Sequence, residues 1–311
     1  MSITTNCFCW GFFAHKKINN YAVFLLPPQM MVFYKSNIDF ITEHATDPDK
    51  RRYAVAAEGA RHFIDIDNYG PYPYNNLPRK WKEAVDCFGE DSLNSNGIVP
   101  WHVQVMLGRL TKAFKEKNFS SILKNSAEMG HYIADAHVPL HASSNHNGQK
   151  TDQKGIHGFW ESRIPELLAD KDFDFFIGKA TYIPDPAAFI WDRVLESANA
   201  ADSVLKFEKE LSAKFPGDKK YAFEKRNNIL IKQYSSAYSL AYNKKLNGMI
   251  ERRMRQSIFA VASFWYTAWV NAGQPDLSDL AKQSFSEKEL KEFEELNDKW
   301  QHSNPSGNEH E

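Results

Sequence analysis

The stretch HYIADAHVPLH, His131 to His141, places three histidines and an aspartate in eleven positions. His131 and Asp135 are four apart, so on a helix both side chains leave from one face and can meet one ion. Pro139 cannot continue that helix. The chain must turn there, which lets His141 point toward a different partner. The upstream run SSILKNSAEMG carries apolar residues at helical spacing, and Asn118 or Ser120 stands where an N-cap belongs.

The same period continues outward in DFITEHA, VQVMLGRLTKAFKEK, FWESRIPELLAD, PAAFIWDRVLESANAADSVLKFEKEL and the long stretch from Tyr221 to Val270. Asp185 followed by Pro186 marks another helix start. Alternating, strand-like patterns are scarce. These signals predict an all-α fold, a single multi-helix domain over residues 10–273. Residues 1–9 read as an N-terminal stub, 274–301 as a charged helical extension, and 302–311 as a polar, disordered tail.

Composition narrows the partners. Lys plus Arg (38) nearly balances Asp plus Glu (39), so no overall basic field holds nucleic acid or an anionic surface. The cysteines, Cys7, Cys9 and Cys87, give no disulfide framework. The longest apolar run, Ser257 to Val270, is shorter than the roughly 20 residues that span a bilayer and reads as a buried core helix. No integral membrane segment is expected, and no obligate protein partner is evident.

His157 and Glu161, in HGFWE, repeat the i, i+4 geometry of His131 and Asp135 on a second helix. With His141 between them, five ligands arise from a short stretch, and their types fit zinc. A single His/Asp pair is more often a hydrogen-bonded surface pair; two pairs with a flanking histidine are a stronger signal.

Further segments add to it: WGFFAH with Trp10 and His15, RHFIDID with His62, Asp65 and Asp67, and VPWH with His102. In this order, together with HYIADAHVPLH and HGFWE, they resemble the zinc-dependent phospholipase C family and its relatives, the single-strand-specific zinc nucleases. The resemblance covers about residues 10–165. It implies a site of about three zinc ions: Asp65, His102 and His131 on one, with Asp135 bridging; His141, His157 and Glu161 on a second; His15, Asp135 and the backbone amine and carbonyl of Trp10 on the third. Asp65 and Asp135 would be the catalytic carboxylates, Asp65 also orienting or deprotonating the attacking water, with Asp67 the alternative to Asp65. His62 would support Asp65, and His137 would hydrogen-bond a ligand carboxylate. His44 and His146 read as solvated.

A ligating Trp10 amine requires that Trp10 be the mature N-terminus, since a free α-amino group can give up its proton to a metal near neutral pH. The expectation is then an exported protein, periplasmic or extracellular; a chain starting at Met1 would be cytoplasmic. The implied reaction is phosphodiester hydrolysis, on phospholipids or on single-stranded nucleic acid. Glu161 leans toward the phospholipases and the WGFFAH spacing toward the nucleases. Aromatic residues near the motifs (Phe12, Phe13, Tyr69, Tyr72, Tyr74, Trp101, Phe159, Trp160) suit a choline headgroup or an unpaired base equally, and Arg61 and Arg163 could contact phosphate. A noncatalytic, metal-stabilised binding protein is the reading from another class.

Overall fold

The helix that carries His131 starts where its sequence says: the Asn118 side chain accepts a hydrogen bond from Ser121 N at 2.9 Å, satisfying one of the donors a helix start leaves open. The computed structural model describes residues 11–226 and 229–302. Its helices in chain order are α1 (Phe12–Val23), α2 (Pro28–Ser36), α3 (Ile38–Glu43), α4 (Asp47–Arg51), α5 (Trp81–Phe88), α6 (Glu90–Ser95), α7 (Val99–Lys115), α8 (Phe119–Asp135), α9 (Ile156–Gly158), α10 (Ile164–Leu168), α11 (Pro186–Ser212), α12 (Ser236–Lys245), α13 (Met249–Asn271) and α14 (Glu287–His302). One antiparallel hairpin, β1 (Tyr221–Arg226) and β2 (Ile229–Tyr234), stands between α11 and α12. The fold is all-α in class. No helix among the described residues is long and apolar enough to cross a membrane.

The run from Ser257 to Val270 lies within α13 and is the centre of the core. Ile258, Val261, Ala262, Phe264, Trp265 and Ala268 are all buried, and consecutive burial means the helix is surrounded, not laid on a surface. It packs against α1, α7 and α8. Trp265 donates its Nε1–H to the Ser126 carbonyl at 3.0 Å, and Tyr34 stacks on it with centroids 5.0 Å apart. Each large apolar side chain buried here contributes roughly 1.5–3 kcal/mol, and the indole's one polar atom is satisfied.

Two contacts set the position of α8. Gly130 faces Asn19 of α1, and a Cβ at 130 would sit 2.0 Å from Asn19 Oδ1. Only glycine lets the helices approach while Asn19 donates to the carbonyls of Ile41 and Ala127 at 3.2 and 3.0 Å. The far end of α8 is held from the other side. Ser197 of α11 donates to the Ala136 carbonyl at 2.7 Å, and buried Arg253 of α13 donates to the His137 carbonyl at 2.7 Å. Carbonyls that a helix end leaves open are thus satisfied by side chains, and the chain turns at Pro139 into the short 3-10 segment Pro139–Ala142, on which His141 sits.

One segment differs from the sequence expectation. Tyr221–Arg226 and Ile229–Tyr234 form the hairpin, not a helix: each strand opens on three apolar residues, YAF and ILI, rich in the aromatic and β-branched types that strands favour, and runs this short are lost inside a long helical reading. The charged run after Gln274 ends in α14, whose Phe293 lies against Phe40 and His44 with centroids 5.4 and 4.4 Å apart. Trp300 reaches Phe12 at 5.2 Å. The expectations for residues 1–9, for Trp10 and for the tail from 303 onward lie outside the described residues.

Candidate metal centre

Asp135 closes α8 and is completely buried. Its Oδ2 lies 3.0 Å from His62 Nδ1 and 3.2 Å from His131 Nε2, while Oδ1 lies 3.4 Å from His15 Nε2 and 3.9 Å from His141 Nδ1. Each oxygen of one carboxylate therefore addresses two imidazoles. Asp49, from α4, brings Oδ1 to 3.5 Å from His131 Nε2 and 3.7 Å from His62 Nδ1. Beyond His141, Glu161 Oε2 lies 3.5 Å from His141 Nε2 and 3.0 Å from His157 Nε2. His157 precedes, and Glu161 lies within, a π-helical turn, Phe159–Arg163, a local widening that recurs at functional sites.

Among the described residues, three groups have ligand atoms all within 4.8 Å of one another: His15, Asp49 and His131; His62, His131 and Asp135; His141, His157 and Glu161. All eight residues are buried. Burying three carboxylates without compensation is costly, and the hydrogen bonds say what compensates. His131 donates Nδ1–H to the Ala45 carbonyl at 2.8 Å, and His141 donates Nδ1–H to the His62 carbonyl at 2.7 Å. In a neutral ring Nε2 then carries a lone pair, and in both residues Nε2 faces carboxylate oxygens. Lone pair against oxygen at these distances is repulsive unless a cation stands between them. A proton or a metal ion answers that demand, and Asp135 Oδ1 and Glu161 Oε1 are buried without a hydrogen bond. The donors are nitrogen and oxygen, a set that suits zinc. The residues fit a metal.

The electrostatics follow the same logic. Burial alone would depress His131, but Asp135 and Asp49 override it and push the imidazole up to about 9. Burial likewise loses at His141, which Asp135 and Glu161 raise to about 9. At His15 burial wins, and with the repulsion of His131 it lowers the ring to about 4. Burial opposes ionisation of Asp135, yet His131 and His141 hold it well below the usual carboxylate range.

Of the residues singled out from the sequence, His15, His131, Asp135, His141, His157 and Glu161 come together here. Asp65 and His102 do not join any of the three groups. Asp65 is partly buried at the edge, where burial and neighbouring Asp67 raise its carboxyl to about 7. His102 is buried edge-on to Tyr132 at 4.5 Å, and burial followed by Arg61 lowers it to about 3. The places beside His131 are taken by Asp49, which the sequence reading passed over, and by His62, which it read as mere support. His137 turns away: its Nδ1 donates to the Ile133 carbonyl at 2.7 Å, not to a ligand carboxylate. His146 is nearer the site than a solvated residue would be, its ring 6.4 Å from His157.

Behind His62 stands Glu58, fully buried, its Oε1 3.7 Å from His62 Nε2. Glu58 also accepts hydrogen bonds from Tyr132 Oη, from Arg51 Nε at 3.0 Å and from Arg61 Nη1 at 2.6 Å. Burial would raise its carboxyl, but His62 and Arg51 together hold it low. A carboxylate behind a metal-directed imidazole fixes the ring and raises its basicity. Glu58→Gln is expected to weaken zinc affinity by roughly 10–100-fold, measured by competition with a chelating dye; unchanged affinity would mean that Glu58 serves the fold alone.

Neither a family model nor a curated protein matches the chain.

Proposed function

We propose that this protein is a zinc-dependent phosphodiesterase of the phospholipase C type. The observation that carries the reading is Asp135, whose two oxygens serve different histidines immediately beside the His141, His157 and Glu161 group. Such an arrangement suits clustered ions, and the order of motifs along the chain resembles that of the zinc phospholipases and nucleases. Zinc ions when bound would supply a water nucleophile at neutral pH, hold the phosphate oxygens and stabilise the leaving oxygen. His15, Asp49, His62 and His131 would hold metal on one side of Asp135, and His141, His157 and Glu161 on the other. Asp65, kept near neutrality by burial and Asp67, would accept a proton at its carboxylate from the attacking water.

The rim favours a cationic headgroup over a polyanionic strand. Asp67 is exposed, and it is close enough to Tyr74 to add to the rise that burial imposes on that phenol. Tyr72, 60% exposed, meets Tyr74 edge-on at 5.7 Å. Aromatic faces with carboxylates attract a quaternary ammonium and repel successive phosphates. The two arginines singled out from the sequence as phosphate contacts are engaged elsewhere: Arg61 with Glu58, and Arg163 with Glu224 and the Tyr234 carbonyl.

Zinc-loaded protein, as the full chain and starting at Trp10, should release phosphocholine from phosphatidylcholine, and a chelator should stop it. Release of nucleotides from single-stranded DNA without phosphocholine would transfer the site to the nucleases. Bound zinc with neither activity would leave a metal-stabilised binding protein. A processed start at Trp10 would also accord with export.

A further inference from the structure

The hairpin β1–β2 presents an unusual outer face. In its register Phe223 pairs with Lys232 and Lys225 with Leu230, so these four side chains share one side of the ribbon. Phe223 is 68% and Leu230 64% exposed, and both lysines are exposed. Lys232 lies over the Tyr221 ring with its Nζ 4.4 Å from the centroid. The opposite side points back to the protein, where Glu224 pairs with Arg163. The root is fixed to the metal-bearing turn, because Tyr234 stacks on Phe159 at 3.8 Å and Arg163 donates to the Tyr234 carbonyl at 3.2 Å. Phe159 and Arg163 bound the π-helical turn that holds Glu161.

We infer that this hairpin face is a docking surface for an anionic phospholipid bilayer, a reading that rests on the phospholipase proposal and adds the form in which its substrate is met. The chemistry is that of an interface: Phe223 and Leu230 enter the acyl boundary, while Lys225 and Lys232 extend to the lipid phosphates. Charge complementarity selects this occupant. The only acid on the two strands, Glu224, is on the other side and neutralised by Arg163, so the outer face is purely cationic although the chain as a whole carries a net charge of −1. Lysines along an exposed ribbon also oppose pairing with a second copy of the same ribbon. Since Tyr234 and Glu224 grip the segment bearing Glu161, docking would bring the membrane surface to the side of the molecule where the second metal group lies.

The test is co-sedimentation of the full chain with phosphatidylcholine vesicles, with and without a minority of phosphatidylserine, read beside hydrolysis of a short-chain phosphatidylcholine kept monomeric. The double variant Phe223→Ser, Leu230→Ser should reduce vesicle binding by roughly tenfold or more. Lys225→Gln with Lys232→Gln should remove the preference for phosphatidylserine and its salt dependence. Both variants should retain wild-type hydrolysis of the monomeric lipid, which also shows that they fold. Vesicle binding by wild-type protein that neither variant changes, or no vesicle binding at all, would overturn the inference. So would variants that lose self-association or single-stranded DNA binding instead. Hairpin-dependent vesicle binding with no lipid hydrolysis would keep the surface and remove the phospholipase reading.

Discussion

Asp135→Asn is expected to strip the metal that His15, Asp49, His62 and His131 would hold while leaving that of His141, His157 and Glu161, and to abolish the phosphodiester cleavage we propose. The carboxylate faces four imidazoles, two through each oxygen. Asparagine keeps the shape, removes the charge and puts an NH₂ where an oxygen stood, so one pair of histidines meets a donor in place of a carboxylate oxygen and both pairs lose the Asp135 charge. Loss of several kcal/mol of charge stabilisation corresponds to a rate decrease on the order of a thousandfold or more. Elemental analysis of the purified variant reads the metal loss directly, and circular dichroism separates it from misfolding. A folded variant with wild-type zinc content would show that Asp135 is not a ligand.

Chelation carries the second large effect, on stability. An ion present at a thousand times its dissociation constant stabilises by about 4 kcal/mol, and for a chain of this size each kcal/mol is worth roughly 2–4 °C. Removing several ions should therefore lower the Tm by about 10 °C or more. The stripped protein should also acquire a pH dependence that the loaded one lacks. With no metal, protons on His131 and His141 balance the buried carboxylates, and both rings are raised to about 9. A raised folded-state value contributes stability that is complete below about 6.5 and is lost as the pH climbs through about 9. His15 has the opposite sign. Lowered to about 4 by burial, it stays neutral in the fold where the unfolded chain would take a proton, so stability also falls as the pH drops from about 6.5 toward about 4. Thermal melts of chelated protein should peak near pH 6–7 and decline on both sides. Metal-loaded protein should instead hold its Tm up to pH 9, since deprotonated ligands favour the metal; parallel curves for the two forms would contradict the assignment.

What was legible in the sequence was local. Helical period, the Asn118 cap and the Pro139 stop each act within a turn or two, and so do the i, i+4 pairs His131/Asp135 and His157/Glu161. Asp49 was hidden because DPDKRR has no apolar period and forms only the five-residue α4; packing near α8, not its own sequence, buries it. RHFIDID offered a histidine and two acids, and choosing among them requires the direction of an irregular segment. The Ile64 N–H donates to the His141 carbonyl, and the His62 carbonyl accepts from the His141 ring. This lacing turns the His62 ring inward and leaves Asp65 three residues on, at the rim. The hairpin was missed for a third reason: its strands are short, carry no period-two alternation and border strong helices.

The lacing between His131 and Ala45, and between His141 and His62, has a consequence for how the site endures sequence change. In each case the acceptor that fixes the imidazole is a main-chain oxygen, and every amino acid supplies one. Substitution at Ala45 cannot delete the group that orients His131, so drift at that position can disturb the centre only by moving the backbone. Glu58, by contrast, orients His62 through its side chain and can be lost in one mutational step. The centre thus contains two candidate ligands, His131 and His141, anchored by the fold itself and one, His62, anchored by a replaceable residue.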